Sequence, residues 1–248
     1  MRYFFEITYS GSNYHGWQSQ YNAVGVQQVV EEALSRLLRT KIEIVASGRT
    51  DAGVHCVQQF FHTDIEKLFI ADELVLRLNA LLPRDIAIRS VRKVKSTASA
   101  RYDARERTYH YHITRVKDPL CVGRAFHFFK PIDQRTLNQA TALLLGSHDF
   151  ECFSKVKTDV NHFNCTVQLA QWSQKGDLLV FKITANRFLR GMVRAVVGTL
   201  LDVGTGKITV EEFTAILSSK DRRKAGMNVP PEGLYLMKVK YPSGVFVK

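Results

Sequence analysis

"KIEIVASGRTDAGVHCVQQFFH", residues 41–62, sets two short apolar runs, 41–46 and 54–62, on either side of a glycine-bounded turn. Runs of this length, rich in Ile, Val and Phe and bounded by Ser, Gly, Thr and Asp, read as strands. The flanking sequence decides which fold the pair belongs to. Upstream, residues 26–38 place Val26, Val29, Val30, Ala33, Leu34, Leu37 and Leu38 on one stripe, the spacing of an amphipathic helix. Before that helix, Tyr3, Phe5, Ile7 and Tyr9 alternate with Phe4, Glu6 and Thr8, the period of a strand. Downstream, Asp72 is placed to cap a helix carrying Leu74, Leu78, Leu81 and Leu82, which Pro83 stops. Residues 86–94 then read as a further strand. The order is β-α-β-β-α-β, a split βαβ or ferredoxin-like unit.

The second half repeats that order. It offers a strand at 107–115 and a helix at about 134–145 closed by Gly146. Strands at 165–173 and 177–185 form a hairpin around Lys175-Gly176-Asp177, and a helix runs from about 188 to 203. Thr209 and Glu212 fit a capping box opening a short extra helix, and a last strand covers 233–240. The expected fold is α+β: two related ferredoxin-like (βαββαβ) units with antiparallel sheets. The boundary falls in "STASARYDARE", 96–106. That gives an N-terminal unit, 1–103, carrying the Asp51 loop, and a C-terminal unit, 104–248.

Composition narrows the function. The chain has 248 residues, enough for a sizeable core, and its hydrophobic content of 45% is that of a globular protein. No apolar run is long enough to span a bilayer, and the N-terminus alternates like a strand rather than a signal peptide. The expectation is a cytoplasmic protein with no membrane partner. The four cysteines, 56, 121, 152 and 165, form no Cys-x-x-Cys pair, which fits reduced thiols and argues against structural zinc. The formal charge is +12. From Arg84 to Lys117 there are ten Lys or Arg against three acids. Such a surplus suits a polyanionic partner, because each neutralised phosphate releases counterions.

Asp51 lies in the turn of the first hairpin, between Gly48 and Gly53 and two residues from Arg49. A glycine-flanked Asp is a common turn residue. A loop on a rigid hairpin also suits a reactive group, and a carboxylate ionised at neutral pH serves as nucleophile or base. Arg49 fits a pairing with Asp51, a phosphate contact or a plain surface role. In "RTYHYHITR", Tyr109, Tyr111 and Ile113 share one strand face, and His110 and His112 share the other without a supporting acid or thiol. Arg187, Arg190 and Arg194 fall at i, i+3, i+7, one stripe of the helix expected from 188. Such a stripe suits phosphate contacts or a carboxylate partner, and equally a solvated face. No phosphate-binding Gly-x-x-x-x-Gly-Lys, no dinucleotide fingerprint and no His-Glu-x-x-His is present.

Seven segments, in order, carry a resemblance: "GSNYHGWQSQ" (11–20), "VQQVVEEAL" (26–34), "ASGRTDAGVHC" (46–56), "ARYDARERTYHYHI" (100–113), "GSHDFECF" (146–153), "NRFLRGMVRAVVGTLLDVG" (186–204) and "PPEGLYL" (230–236). Together they resemble the tRNA pseudouridine synthase A family, over about residues 3 to 240. The resemblance implies the pseudouridine synthase fold and an isomerase that converts uridine to pseudouridine at nucleotides 38, 39 and 40 of the tRNA anticodon arm. It implies no metal or organic cofactor, a homodimer, and a basic cleft for tRNA. Asp51 matches the family's catalytic carboxylate, as nucleophile on the sugar C1′ or as base at C2′. Arg194 matches its basic partner. Tyr109 matches the tyrosine that packs on the target base and serves as a general base. Arg49 matches the arginine that helps extrude the base and fills its place, and Leu234 a hydrophobic residue lining the uracil pocket. "HFNCTV" (162–167), with His162, Phe163 and Cys165, departs from the family pattern and leaves the motifs untouched. The alternative is a non-catalytic RNA-binding protein of the same fold. The carboxylate speaks against it, since a pure binder gains nothing from a negative charge facing a polyanion. An Asp-dependent hydrolase of small substrates is disfavoured by the charge and by the missing metal ligands.

Overall fold

The computed structural model describes residues 1–156 and 160–247. The fold is mixed α+β, in two compact units. The first comprises Met1–Glu106 together with Tyr235–Lys248, the second Arg107–Leu234. The chain's closing segment therefore groups with the first unit, where the sequence had placed all of 104–248 in the second.

In the first unit, β1 (Arg2–Tyr9) pairs antiparallel with β3 (His55–Asp64) on one side and β4 (Ile86–Lys93) on the other. The short β2 (Val45–Ala46) pairs antiparallel with β3, and β10 (Leu234–Lys240) runs parallel to β3 with Tyr235 opposite His55. The expectation of antiparallel sheets is corrected here: β10 arrives from the distant end of the chain and runs the same way as β3.

Helices α1 (Val26–Leu38) and α2 (Ala71–Leu81) bury Val26, Val30, Ala33 and Leu34, and Leu74 and Leu78. Phe5 stacks on Phe61 at 4.9 Å between ring centres. Phe4, on the opposite face of β1, is buried as well, because Tyr241 and Phe246 pack edge-on against it. The run 41–46 is strand only at Val45–Ala46. The Ile42 N–H donates to Ser35 Oγ and the Ile44 N–H to Glu31 Oε1, both at 2.9 Å, so helix α1 holds these backbone donors instead of a neighbouring strand. Asp72 is not the cap of α2. Ile70 occupies that position, and Asp72 sits in the first turn, where a carboxylate still favours the positive helix end.

In the second unit, β5 (Glu106–Thr114), β9 (Leu178–Ala185), β8 (Asn164–Lys175) and β7 (Gly146–Asp149) pair antiparallel in that order. The two-residue β6 (Phe126–His127) pairs parallel with β5. Helix α3 (Gln134–Ala142) is capped by Asp133, which accepts from Arg135 N–H at 2.8 Å. Helix α5 (Val210–Ser218) opens with the capping box formed by Thr209 and Glu212. Helix α4 (Met192–Gly204) is buried almost throughout. It begins at Met192 and not near 188, because Gly191 just before it takes a left-handed φ of 75°. Arg187 and Arg190 therefore precede the helix, and the three-arginine stripe expected from i, i+3, i+7 spacing does not form.

Candidate active site

Asp51 sits in the β2–β3 connection, half-buried, with Arg49 exposed and Thr50 buried beside it. The backbone of the turn is bonded on both sides of Asp51. The Thr50 hydroxyl lies 2.8 Å from the Tyr9 hydroxyl, and the Thr50 carbonyl accepts from Trp17 N–H at 3.1 Å. Gln59, fully buried, accepts from Tyr9 and donates to the Gly48 carbonyl at 3.0 Å. The Asp51 carbonyl accepts from Val54 N–H and closes the turn, which Gly53 completes with a φ of 78° that an L side chain resists. The Gly53 N–H donates to the Tyr14 carbonyl at 3.2 Å.

The segment 11–17, part of the "GSNYHGWQSQ" motif, is thus the floor on which this loop rests. Gly16 is required there. A Cβ would strike the Thr50 carbonyl, and its φ of 90° is left-handed. His55, buried, accepts from Gly11 N–H at 3.2 Å and stacks on Tyr235 at 4.6 Å. The i, i+4 spacing of Asp51 and His55 carries no sign of this part for His55. Its place at the start of β3 makes it a fastener of this floor.

Tyr109, Arg194 and Leu234 belong to the second unit. Tyr109, half-buried on β5, packs its ring edge-on against Phe188 at 5.0 Å. Arg194, on the first turn of α4, donates from Nε to the Val229 carbonyl at 2.7 Å. Tyr111, two residues after Tyr109, donates its hydroxyl to the Pro230 carbonyl at 2.7 Å. Burial pushes the Tyr111 hydroxyl far above its ordinary range, with Glu232 adding to the effect, so it stays a donor. Gly233 is needed at its position, since a Cβ there would press on the His112 carbonyl and the Tyr111 ring. Arg194 and Tyr111 therefore hold the segment 229–234, and with it the buried Leu234. The sequence places Tyr111 on one strand face with Tyr109 and Ile113 and does not separate its part from theirs. The "PPEGLYL" motif was the available signal, because a Pro-Pro segment lacks N–H donors and must be held by its carbonyls.

Among the described residues, no group of three or more His, Cys, Asp or Glu could hold a metal ion. The His110 and His112 rings lie 6.2 Å apart on β5, and burial lowers the His110 basicity, with Lys182 acting the same way. No helix of the described residues is long and apolar enough to cross a membrane. The four cysteines are free thiols, and Cys56, Cys152 and Cys165 are buried.

Comparison with known proteins matches a family model described as tRNA pseudouridine synthase to residues 7–103 and 140–242. A protein of Porphyromonas gingivalis named tRNA pseudouridine synthase A is 47% identical over 99% of this chain and 99% of its own length. Proteins of the same name from Parabacteroides distasonis and Bacteroides fragilis are 46% and 43% identical over 99% of this chain and 98% of theirs.

Proposed function

The chain belongs to the tRNA pseudouridine synthase family, and from that premise we propose that it isomerises uridine to pseudouridine at nucleotides 38, 39 and 40 of the tRNA anticodon arm, with Asp51 as the catalytic carboxylate. The observation that carries the assignment is the fixed loop around Asp51. Its flanking carbonyls, at Gly48 and Thr50, and the Gly53 N–H are each bonded to a partner outside the turn. A carboxylate on so constrained a base can meet a sugar carbon reproducibly, which is what positioning contributes to a rate.

The chemistry is an isomerisation. The C1′–N1 glycosidic bond breaks, a C1′–C5 bond forms, the C5 hydrogen leaves as a proton, and N1 gains one. Asp51 either adds to C1′ or takes a proton from C2′, and both roles need it ionised. Arg194 is assigned the part of the carboxylate's basic partner, Tyr109 that of the residue packing on the target base, and Leu234 a wall of the uracil pocket. Arg49, exposed beside Asp51, is assigned to base extrusion, a step costing a few kcal/mol that an inserted side chain partly offsets. Half-burial with an apolar neighbour at Tyr109, and burial at Leu234, support these parts. The surplus of +12 suits a tRNA substrate. We assign the enzyme to the cytoplasm, where tRNA is found, and to a homodimer.

The test is tritium release from tRNA labelled at uridine C5. Wild-type protein should release label and Asp51→Asn should release none while still binding tRNA. Equal release by both would remove Asp51 from the chemistry, and binding without release by either would make the chain an RNA binder.

A further inference from the structure

The geometry points to Asp85 as a positioning residue for the Asp51 loop, acting through Tyr14. This inference rests on the assignment of Asp51 as the catalytic carboxylate, and all residues involved lie in the first unit. Asp85 follows Pro83 and Arg84 in the connection between α2 and β4, far from Asp51 in sequence. Its carboxylate accepts twice from one segment: from the Tyr14 hydroxyl at 2.6 Å and from the Asn13 amide at 2.9 Å. Its carbonyl accepts a third time, from Ser10 N–H at 2.9 Å. One residue thus anchors the segment 10–14 at three points.

That segment bears directly on the reactive loop. Tyr14 is buried, and its carbonyl receives the Gly53 N–H, two residues beyond Asp51. Gly11 is packed so tightly on the Val54 carbonyl that a Cβ would collide with it. The path from Asp85 to the loop therefore has two links. Its carboxylate fixes the Tyr14 side chain, and the Tyr14 main chain fixes the turn at Gly53. The phenol-to-carboxylate contact is short and charge-assisted, the kind that holds a side chain to one orientation. Burial, with Asp85 adding to it, pushes the Tyr14 hydroxyl well above its ordinary value, so it remains a donor throughout the neutral range.

Each oxygen takes one donor, and no Lys or Arg bonds to Asp85 among the contacts described.

The experiment is single-turnover pseudouridine formation at saturating enzyme, with tRNA affinity measured separately, on Asp85→Ala, Tyr14→Phe and their combination. Asp51→Asn runs alongside, and folding is verified by circular dichroism. Displacing a reacting group by about an ångström costs about a hundredfold. Asp85→Ala should therefore lower the rate by about tenfold or more while tRNA affinity stays within about twofold of wild type. Tyr14→Phe removes one hydroxyl and should produce a loss of the same kind, and the double variant should be no worse than the poorer single one, because both cut the same path. Asp85→Asn should restore most of the rate. Its amide oxygen still accepts from Tyr14, and its amide N–H can donate to Asn13 once the Asn13 amide turns over.

If Asp85→Ala does not fold, Tyr14→Phe decides alone. Wild-type rates in Tyr14→Phe and Asp85→Ala beside an inactive Asp51→Asn would overturn the inference. So would losses confined to tRNA affinity, or losses that multiply in the double variant. Turnover by Asp51→Asn would instead bring down the assignment of Asp51 itself, and the inference with it.

Discussion

At the scale of single residues, Arg194 and His62 make separable predictions. Arg194 donates to the Val229 carbonyl through Nε, and the guanidinium carries further N–H donors. Replacing it by Ala removes a charged donor worth about 1.5–3 kcal/mol and releases the 229–234 segment. Turnover should fall by at least about tenfold, more than tRNA binding does. Full activity in Arg194→Ala would refute its part in the chemistry. His62 shows how burial tunes a side chain whose role is structural. Its Nδ1 accepts from Ala100 N–H at 3.1 Å, so the ring must be neutral. Burial pushes its basicity below the ordinary value, and nearby Arg2 adds to the shift. As pH falls through the unfolded value of about 6.5, the unfolded chain binds a proton that the native ring refuses, so stability declines. Urea midpoints at neutral pH and near pH 5 should therefore separate in the wild type and converge in His62→Gln. An equal fall in both would place the pH sensitivity elsewhere.

At the scale of elements, local sequence decided most, and its failures have local causes. The Thr209–Glu212 box is read directly from spacing, and it forms, with Glu212 N–H donating to Thr209 Oγ1 at 3.1 Å. Thr209→Ala should cost about 1 kcal/mol, read as a lower urea midpoint with turnover unchanged. A neutral result would mean that α5 is held by Phe213, Ile216 and Leu217 alone. Helix α4 shows the opposite case. Its apolar period runs unbroken from Phe188, yet the left-handed Gly191 delays the start to Met192. Periodicity reports which face is buried. It does not report where the backbone turns into the helix. The run 41–46 failed for another reason: the donors of its isoleucines were claimed by Glu31 and Ser35 across space.

At the scale of the whole molecule, the formal charge of +12 predicts that tRNA affinity falls linearly on a logarithmic salt scale. Between 50 and 200 mM salt the loss should exceed about tenfold. A flat response would remove phosphate contact as the driving force. The sequence alone determined the β-α-β-β-α-β order of the first half, the family, and Asp51, Arg49, Tyr109, Arg194 and Leu234 as the residues to watch. These are carried by local spacing and by contiguous motifs, which a linear reading captures. Tertiary structure alone decided that β10 lies parallel to β3, that Tyr241 and Phe246 cover Phe4, and that Tyr111 and Arg194 hold the 229–234 segment. It also decided that Asp85 and His55 fasten the floor of the Asp51 loop. Each of these depends on partners many residues apart, brought together because buried backbone donors and acceptors must be satisfied by whatever the packed chain places beside them.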